Sequence, residues 1–134
     1  MARQARERDL FGLYHISQTS QRGRVIFRSD EDRQAMLDIL HGAEAKYNFK
    51  LAAYCLIDRY VYHLLLKMEG CDISQLMKSI NISYTKRLQL PAGLFRDRYE
   101  STLLTSPQEG RALLRKLQER AEGHKRWNSY CTVD

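Results

Sequence analysis

Proline and glycine are scarce in this chain: two and seven in 134 residues, too few for a long disordered stretch. No run of eighteen apolar residues occurs, so no helical membrane span and no membrane partner are expected. The three cysteines, Cys55, Cys71 and Cys131, are odd in number and lack Cys-x-x-Cys spacing, which excludes a disulfide framework and a zinc cluster. Cys55 lies in an apolar run and reads as a buried thiol. The basic opening, Met1-Ala2-Arg3-Gln4-Ala5-Arg6, is followed by no apolar core, so a secretory signal is not expected and the default compartment is the cytoplasm. Neither an internal repeat nor a linker nor a low-complexity segment interrupts the chain. Acid is also in short supply. Sixteen Asp and Glu stand against 22 Lys and Arg, for a net charge of +6 and a pI near 9.4. A basic balance favours nucleic acid or another anionic surface as partner.

What is present suits a globular fold. Hydrophobic residues are 43% and charged residues 28%, and the length fits one domain over residues 1–134. Residues 9–18 read as a strand with Gly12, Tyr14 and Ile16 on one face and Leu13, His15 and Ser17 on the other. A polar stretch turns the chain at Gly23. Ser29 then reads as a helix N-cap, with Asp30, Glu31 and Asp32 in the first turn. Met36, Leu37, Leu40, Ala43 and Tyr47 give that helix its apolar stripe, and Asn48 stops it. Residues 49–57 and 60–67 form a hairpin about Asp58-Arg59.

A second helix opens at Asp72, with Gln75 completing a capping box. Ile73, Leu76, Met77, Ile80, Tyr84 and Leu88 mark its buried side, and Pro91 and Gly93 end it. A fourth strand is expected over 95–104. Ser106-Pro107-x-Glu109 opens a third helix that Leu113, Leu114, Leu117 and Ala121 line and Gly123 stops. The order β-α-β-β-α-β-α predicts an α+β fold of the ferredoxin-like class, an antiparallel sheet with helices packed on one face.

Several ordered motifs carry a family resemblance. Ala2-Arg3-Gln4-Ala5-Arg6, Gly12-x-Tyr14-His15-Ile16 and Ile26-Phe27-x-x-Asp30-Glu31-Asp32-Arg33 are similar to the opening of the single-tyrosine HUH transposases of bacterial insertion sequences, including the REP-associated branch. Tyr54-Cys55-Leu56-Ile57-Asp58 resembles the approach to their metal strand. Asp72-Ile73-Ser74-Gln75-x-Met77-Lys78, Ser83-Tyr84 and Phe95-x-Asp97-Arg98-Tyr99-x-Ser101 resemble their middle helix and last strand. Trp127-Asn128-Ser129-Tyr130 resembles their tail. The resemblance spans nearly the whole chain. It implies a ferredoxin-like sheet, a homodimer and recognition of hairpin DNA with single-stranded flanks. In active members it also implies metal-assisted strand cleavage through a phosphotyrosine.

That chemistry needs two histidines flanking one apolar residue on a strand, so that both imidazoles share a face and hold a divalent ion. The ion polarises the scissile phosphate, and a tyrosine on the last helix attacks it. Here the strand reads Asp58-Arg59-Tyr60-Val61-Tyr62-His63-Leu64-Leu65-Leu66. Aligned from the left, both histidines become tyrosines, Tyr60 and Tyr62. Aligned from the right, His63 survives and its partner is Val61. The nucleophile position on the last helix is Lys116, and Arg120 stands four residues on, where a further polar ligand is expected. The loop between Tyr84 and Phe95 is also shorter than the family's. No intact catalytic residue and no cofactor are expected, and a divalent metal only if the site is active.

Each residue also has a plainer reading. His63 is most simply a packed strand histidine, with a His15–His63 metal site as the alternative. Tyr84 falls on a buried stripe and reads as core. Tyr60 and Tyr62 are either base-stacking platforms or ordinary strand aromatics. Lys116 and Arg120 are solvated helix charges or a phosphate clamp. The expected nucleic-acid contacts are Arg22, Arg24, Lys86, Arg87, Arg98, Lys116 and Arg120. The expected function is a catalytically inactive transposase-like protein that binds hairpin or single-stranded DNA, with domestication as a regulator one outcome. The alternatives are an active nicking transposase with an unusual site and a structured-RNA-binding protein.

Overall fold

The β-branched and aromatic residues of Leu13–Thr19 alternate with smaller or polar ones and form strand β1, which starts four residues later than the sequence suggests. The structure, a computed structural model, describes residues 11–91, 93–95 and 99–120. Helix α1 (Asp30–Lys46) is followed by β2 (Phe49–Cys55), β3 (Val61–Met68), α2 (Ile73–Arg87), β4 (Glu100–Leu103) and α3 (Pro107–Arg120). The four strands form one antiparallel sheet in the order β2-β3-β1-β4. This is the ferredoxin-like α+β arrangement expected from the element order. The tail motif at Trp127 and Tyr130, the helix stop at Gly123 and the N-terminal arginines lie outside the described residues.

Strand alternation gives the sheet two different faces. Tyr14, Ile16, Tyr62, Leu64, Leu66 and Met68 point to one face and meet Met36, Leu37 and Leu40 of α1 and Leu76, Met77, Ile80 and Tyr84 of α2. This is the main core. The two helices are tied together by Tyr47 Oη donating to Ser79 Oγ at 3.1 Å and by an Arg87–Asp38 ion pair at 3.1 Å. The other face carries Leu13, His15, Ser17, Val61, His63 and Leu65. Helix α3 lies here rather than with α1 and α2, its Leu113 packed beside Ala53, Cys55 and Leu65.

Strand β2 changes face along its length. Phe49 and Leu51 pair with Met68 and Leu66, but a bulge at Ala52 shifts the register, so that Ala53 and Cys55 pair with Leu65 and His63. The extra residue reverses the alternation and places Cys55 on the α3 side. The strand ends at Cys55, two residues before the expected end. The Arg33 guanidinium takes the carbonyl oxygens of Leu56 at 2.7 Å and Ile57 at 2.9 Å, diverting the backbone from the ladder. Strand β4 is also shorter than expected. Phe95 makes only an isolated bridge to Ser20.

The helix starts differ in detail from the sequence expectation. Ser29 occupies the N-cap of α1 but its hydroxyl makes no capping bond. Instead the buried Asp32 carboxylate reaches back to the Arg28 N–H at 2.9 Å and the Arg28 guanidinium at 2.8 Å. Burial alone would raise the Asp32 carboxyl, but these Arg28 bonds outweigh it and hold the group below the usual range. Asp72 caps α2 through the Ser74 N–H, at 2.8 Å. At α3, Ser106 Oγ accepts from the Glu109 N–H while Glu109 accepts from the Thr105 N–H, a reciprocal cap.

Candidate nucleic-acid interface

Antiparallel pairing determines which β3 side chains face α3, because directly paired residues project to the same side of a sheet. Val61 pairs with Thr19, and His63 pairs with Ser17 on β1 and Cys55 on β2. Val61 and His63 therefore face α3, the helix that carries Lys116. Tyr62 faces the opposite way and is 0% exposed. Its hydroxyl donates to Asn81 Oδ1 at 2.6 Å, and Asn81 Nδ2 donates to the buried Gln18 at 2.9 Å. Burial pushes the Tyr62 phenol far above its usual range, so it stays neutral. Tyr62 is a core residue, and of the two tyrosines only Tyr60 is exposed.

Tyr84 is likewise core. Its side chain is fully buried and its hydroxyl donates to the Ile26 carbonyl at 2.5 Å. Burial raises its phenol too, so it is not a poised nucleophile.

On the α3 face, two histidines 48 residues apart in sequence come together. His15 Nε2 lies 3.2 Å from His63 Nδ1, and the rings stack with centroids 5.4 Å apart and planes 7° from parallel. Glu100 pairs with Ser17 and Thr102 with His15, so both β4 side chains join this face. Burial lowers the His15 pKa below the usual histidine value; Glu100 opposes the shift and Lys116 adds to it. The charge of the exposed Lys116 on α3 thus acts on His15. Arg120 is the last residue of α3.

The donor set on this face does not fit the divalent ion of an HUH centre. The i, i+2 pair on the α3 side is Val61 and His63, so one imidazole is replaced by an isopropyl group. The other nearby imidazole, His15, comes from β1 rather than from the i, i+2 position, and its Nε2 faces His63 Nδ1 at hydrogen-bond distance. Among the described residues no three His, Cys, Asp or Glu side chains are grouped to hold a metal.

The basic residues differ in their surroundings. Arg28 is bound to Asp32, and Arg87 to Asp38. Lys86 is exposed on the last turn of α2. Arg22 and Arg24 are exposed on the loop after β1, where Arg22 and Gly23 take left-handed backbone angles of 54° and 70° to make the turn. That loop is tied to the β2–β3 turn: Ser20 N–H donates to the Tyr60 carbonyl at 2.9 Å and Ile26 N–H to the Arg59 carbonyl at 2.7 Å. The sequence marks the exposed Arg59 only as a turn residue. The backbone bonds that bring the segment carrying Arg22 and Arg24 beside Arg59 become visible only in the folded chain. Arg98 lies outside the described residues.

Known proteins share this architecture. Residues 12–102 match a family model described as transposase, IS200-like. A structure of a REP-associated tyrosine transposase bound to a REP hairpin superposes with a TM-score of 0.79 at 13% identity, covering 92% of this chain and 74% of that one. A crystal structure of a presumed transposase from Deinococcus radiodurans gives a TM-score of 0.55 at 18% identity, covering 89% of this chain and 97% of that one. No curated protein matches the chain. At these identities the structural matches establish a shared fold.

Proposed function

The chain belongs to the IS200-like transposase family, and from that premise we propose that it binds hairpin or single-stranded DNA without cutting it. The observation that carries this reading is the pairing on the α3 face: Val61 beside His63 where two histidines are needed, with Lys116 on the helix that would supply the nucleophile. An ammonium group keeps affinity for phosphate yet cannot form a phosphotyrosine. Without two imidazoles on one strand face, the scissile phosphate loses its Lewis acid. The solved relative bound to a REP hairpin supports DNA as the partner class.

In this reading Arg22, Arg24, Lys86, Lys116 and Arg120 make phosphate contacts that set register without reading sequence. Arg87, already paired with Asp38, contributes less, and Arg98 is an added candidate. The protein acts as a homodimer in the cytoplasm, as a domesticated regulator that occupies hairpin sites. One observation favours a second reading. The 3.2 Å separation of the His15 and His63 nitrogens brings two imidazoles together on the α3 face, where an active nicking enzyme with an altered ligand set would need them.

A denaturing gel separates the two. Incubated with labelled hairpin DNA carrying single-stranded flanks, and with magnesium, manganese or no metal, the protein is expected to give neither a cleaved strand nor a covalent adduct. An adduct that disappears when one tyrosine is mutated overturns the inactive reading. Competition between DNA and RNA hairpins of equal sequence tests the choice of DNA. A scattering mass equal to one chain at micromolar concentration rejects the dimer.

A further inference from the structure

We propose that Tyr60 is a stacking platform for one unpaired base, with Arg22 and Arg59 taking the phosphates on either side of it. The proposal rests on the DNA-binding reading above and adds to it which part of the DNA is held, where, and by which face of the protein.

Three large hydrophobic side chains among the described residues are exposed: Phe11, Tyr60 and Ile82. Of these, Tyr60 is 45% exposed and sits in a basic setting. The two segments joined by the Ser20–Tyr60 and Ile26–Arg59 hydrogen bonds, residues 20–28 and 58–60, contain four arginines and one carboxylate. The carboxylate is Asp58, whose Oδ1 accepts from the Tyr60 N–H at 2.8 Å. Arg28 is occupied by Asp32. Arg22, Arg24 and Arg59 are exposed on these two segments, and Asp58 is the one acid that either segment contains.

The backbone under Tyr60 is well held. Besides the Asp58 bond and the two links to the loop after β1, Phe27 N–H reaches the Arg59 carbonyl at 3.3 Å, and Arg33 holds Leu56 and Ile57 just upstream. An aromatic side chain on a held backbone loses less entropy on contact than one on a free loop, and every base has a face that stacks on it. The main core takes in Tyr62 and leaves Tyr60 exposed. Paired bases inside a duplex present no free face, so the platform selects an unpaired nucleotide.

The test uses the full chain and two DNAs, a blunt hairpin and the same hairpin with a single-stranded tail. Binding is followed by anisotropy, with 2-aminopurine placed at each tail position in turn. Tyr60→Ala is expected to weaken tailed DNA by roughly five- to a hundredfold, the range of one base–aromatic stack. It should leave the blunt hairpin within about twofold and abolish the quenching of one 2-aminopurine. Tyr60→Phe is expected to keep both affinity and quenching, which a hydrogen-bonding role for the hydroxyl would not. Equal affinity of the Tyr60→Ala variant for tailed DNA, or equal weakening of both DNAs, overturns the platform while leaving DNA binding intact. If the parent chain binds neither DNA, the DNA-binding reading itself fails.

Discussion

Replacing Val61 with histidine should create a metal site, whereas replacing Tyr60 and Tyr62 with histidine should not, although both changes restore a His-x-His spacing. Val61 and His63 face α3 together, and Val61 is half-buried at the start of β3. A histidine there costs about 1 kcal/mol or less, the span of strand preferences. Tyr62 is enclosed between Phe27 and Phe95, with ring centroids 6.5 and 6.1 Å away, and its hydroxyl is bound to Asn81. Histidine in its place opens a cavity and strands the Asn81 amide, for about 3–5 kcal/mol. At roughly 3–5 °C per kcal/mol for a chain of this size, Tyr60→His/Tyr62→His should melt about 10–25 °C below the parent. Val61→His should melt within about 5 °C of the parent. Added nickel or zinc at a hundred times its dissociation constant should then stabilise Val61→His by about 2.7 kcal/mol. Differential scanning fluorimetry with a metal titration reads all of this. A metal-dependent rise in the tyrosine double variant, with none in Val61→His, would refute the assignment of faces. A rise of equal size in the parent would show that His15 and His63 already suffice.

Tyr84→Phe should cost about 1–3 kcal/mol in urea unfolding, because it leaves the buried Ile26 carbonyl without its donor; an unchanged midpoint would show that water replaces the hydroxyl. His15 has its pKa lowered in the fold, so as pH falls through 6.5 the unfolded chain binds the extra proton first. Stability from this group is complete above 6.5 and falls as pH drops toward the folded value. His15→Gln should flatten that slope, and a slope unchanged in the variant would assign it elsewhere. Lys116→Ala/Arg120→Ala should weaken DNA binding and flatten the log–log salt dependence by roughly 0.7 for each single-strand phosphate no longer engaged; a variant that binds like the parent at every salt concentration would exclude a phosphate clamp on α3.

Element order, the helix stripes and the two faces of β1 were legible along the chain, because each follows from a local period of 3.6 or 2 residues. Met36, Leu40 and Ala43, then Leu76, Ile80 and Tyr84, fall inward as their spacing requires. The absence of a His-x-His from β3 and the presence of Lys116 and Arg120 on the last helix were legible too, since these are matters of identity alone. What depends on register between distant segments came only with the folded chain. One extra residue before Leu64 left two alignments of β3 open, and only pairing with β1 turned His63 and Val61 toward α3 and Tyr62 into the core. The bulge at Ala52 that carries Cys55 to the same face has no signature in an apolar run. Arg33 closing β2 early, His15 meeting His63 and the Ser20–Tyr60 and Ile26–Arg59 backbone bonds all join residues more than twenty positions apart. Periodicity along a chain carries no information about such contacts; they are selected by the packing of the whole fold.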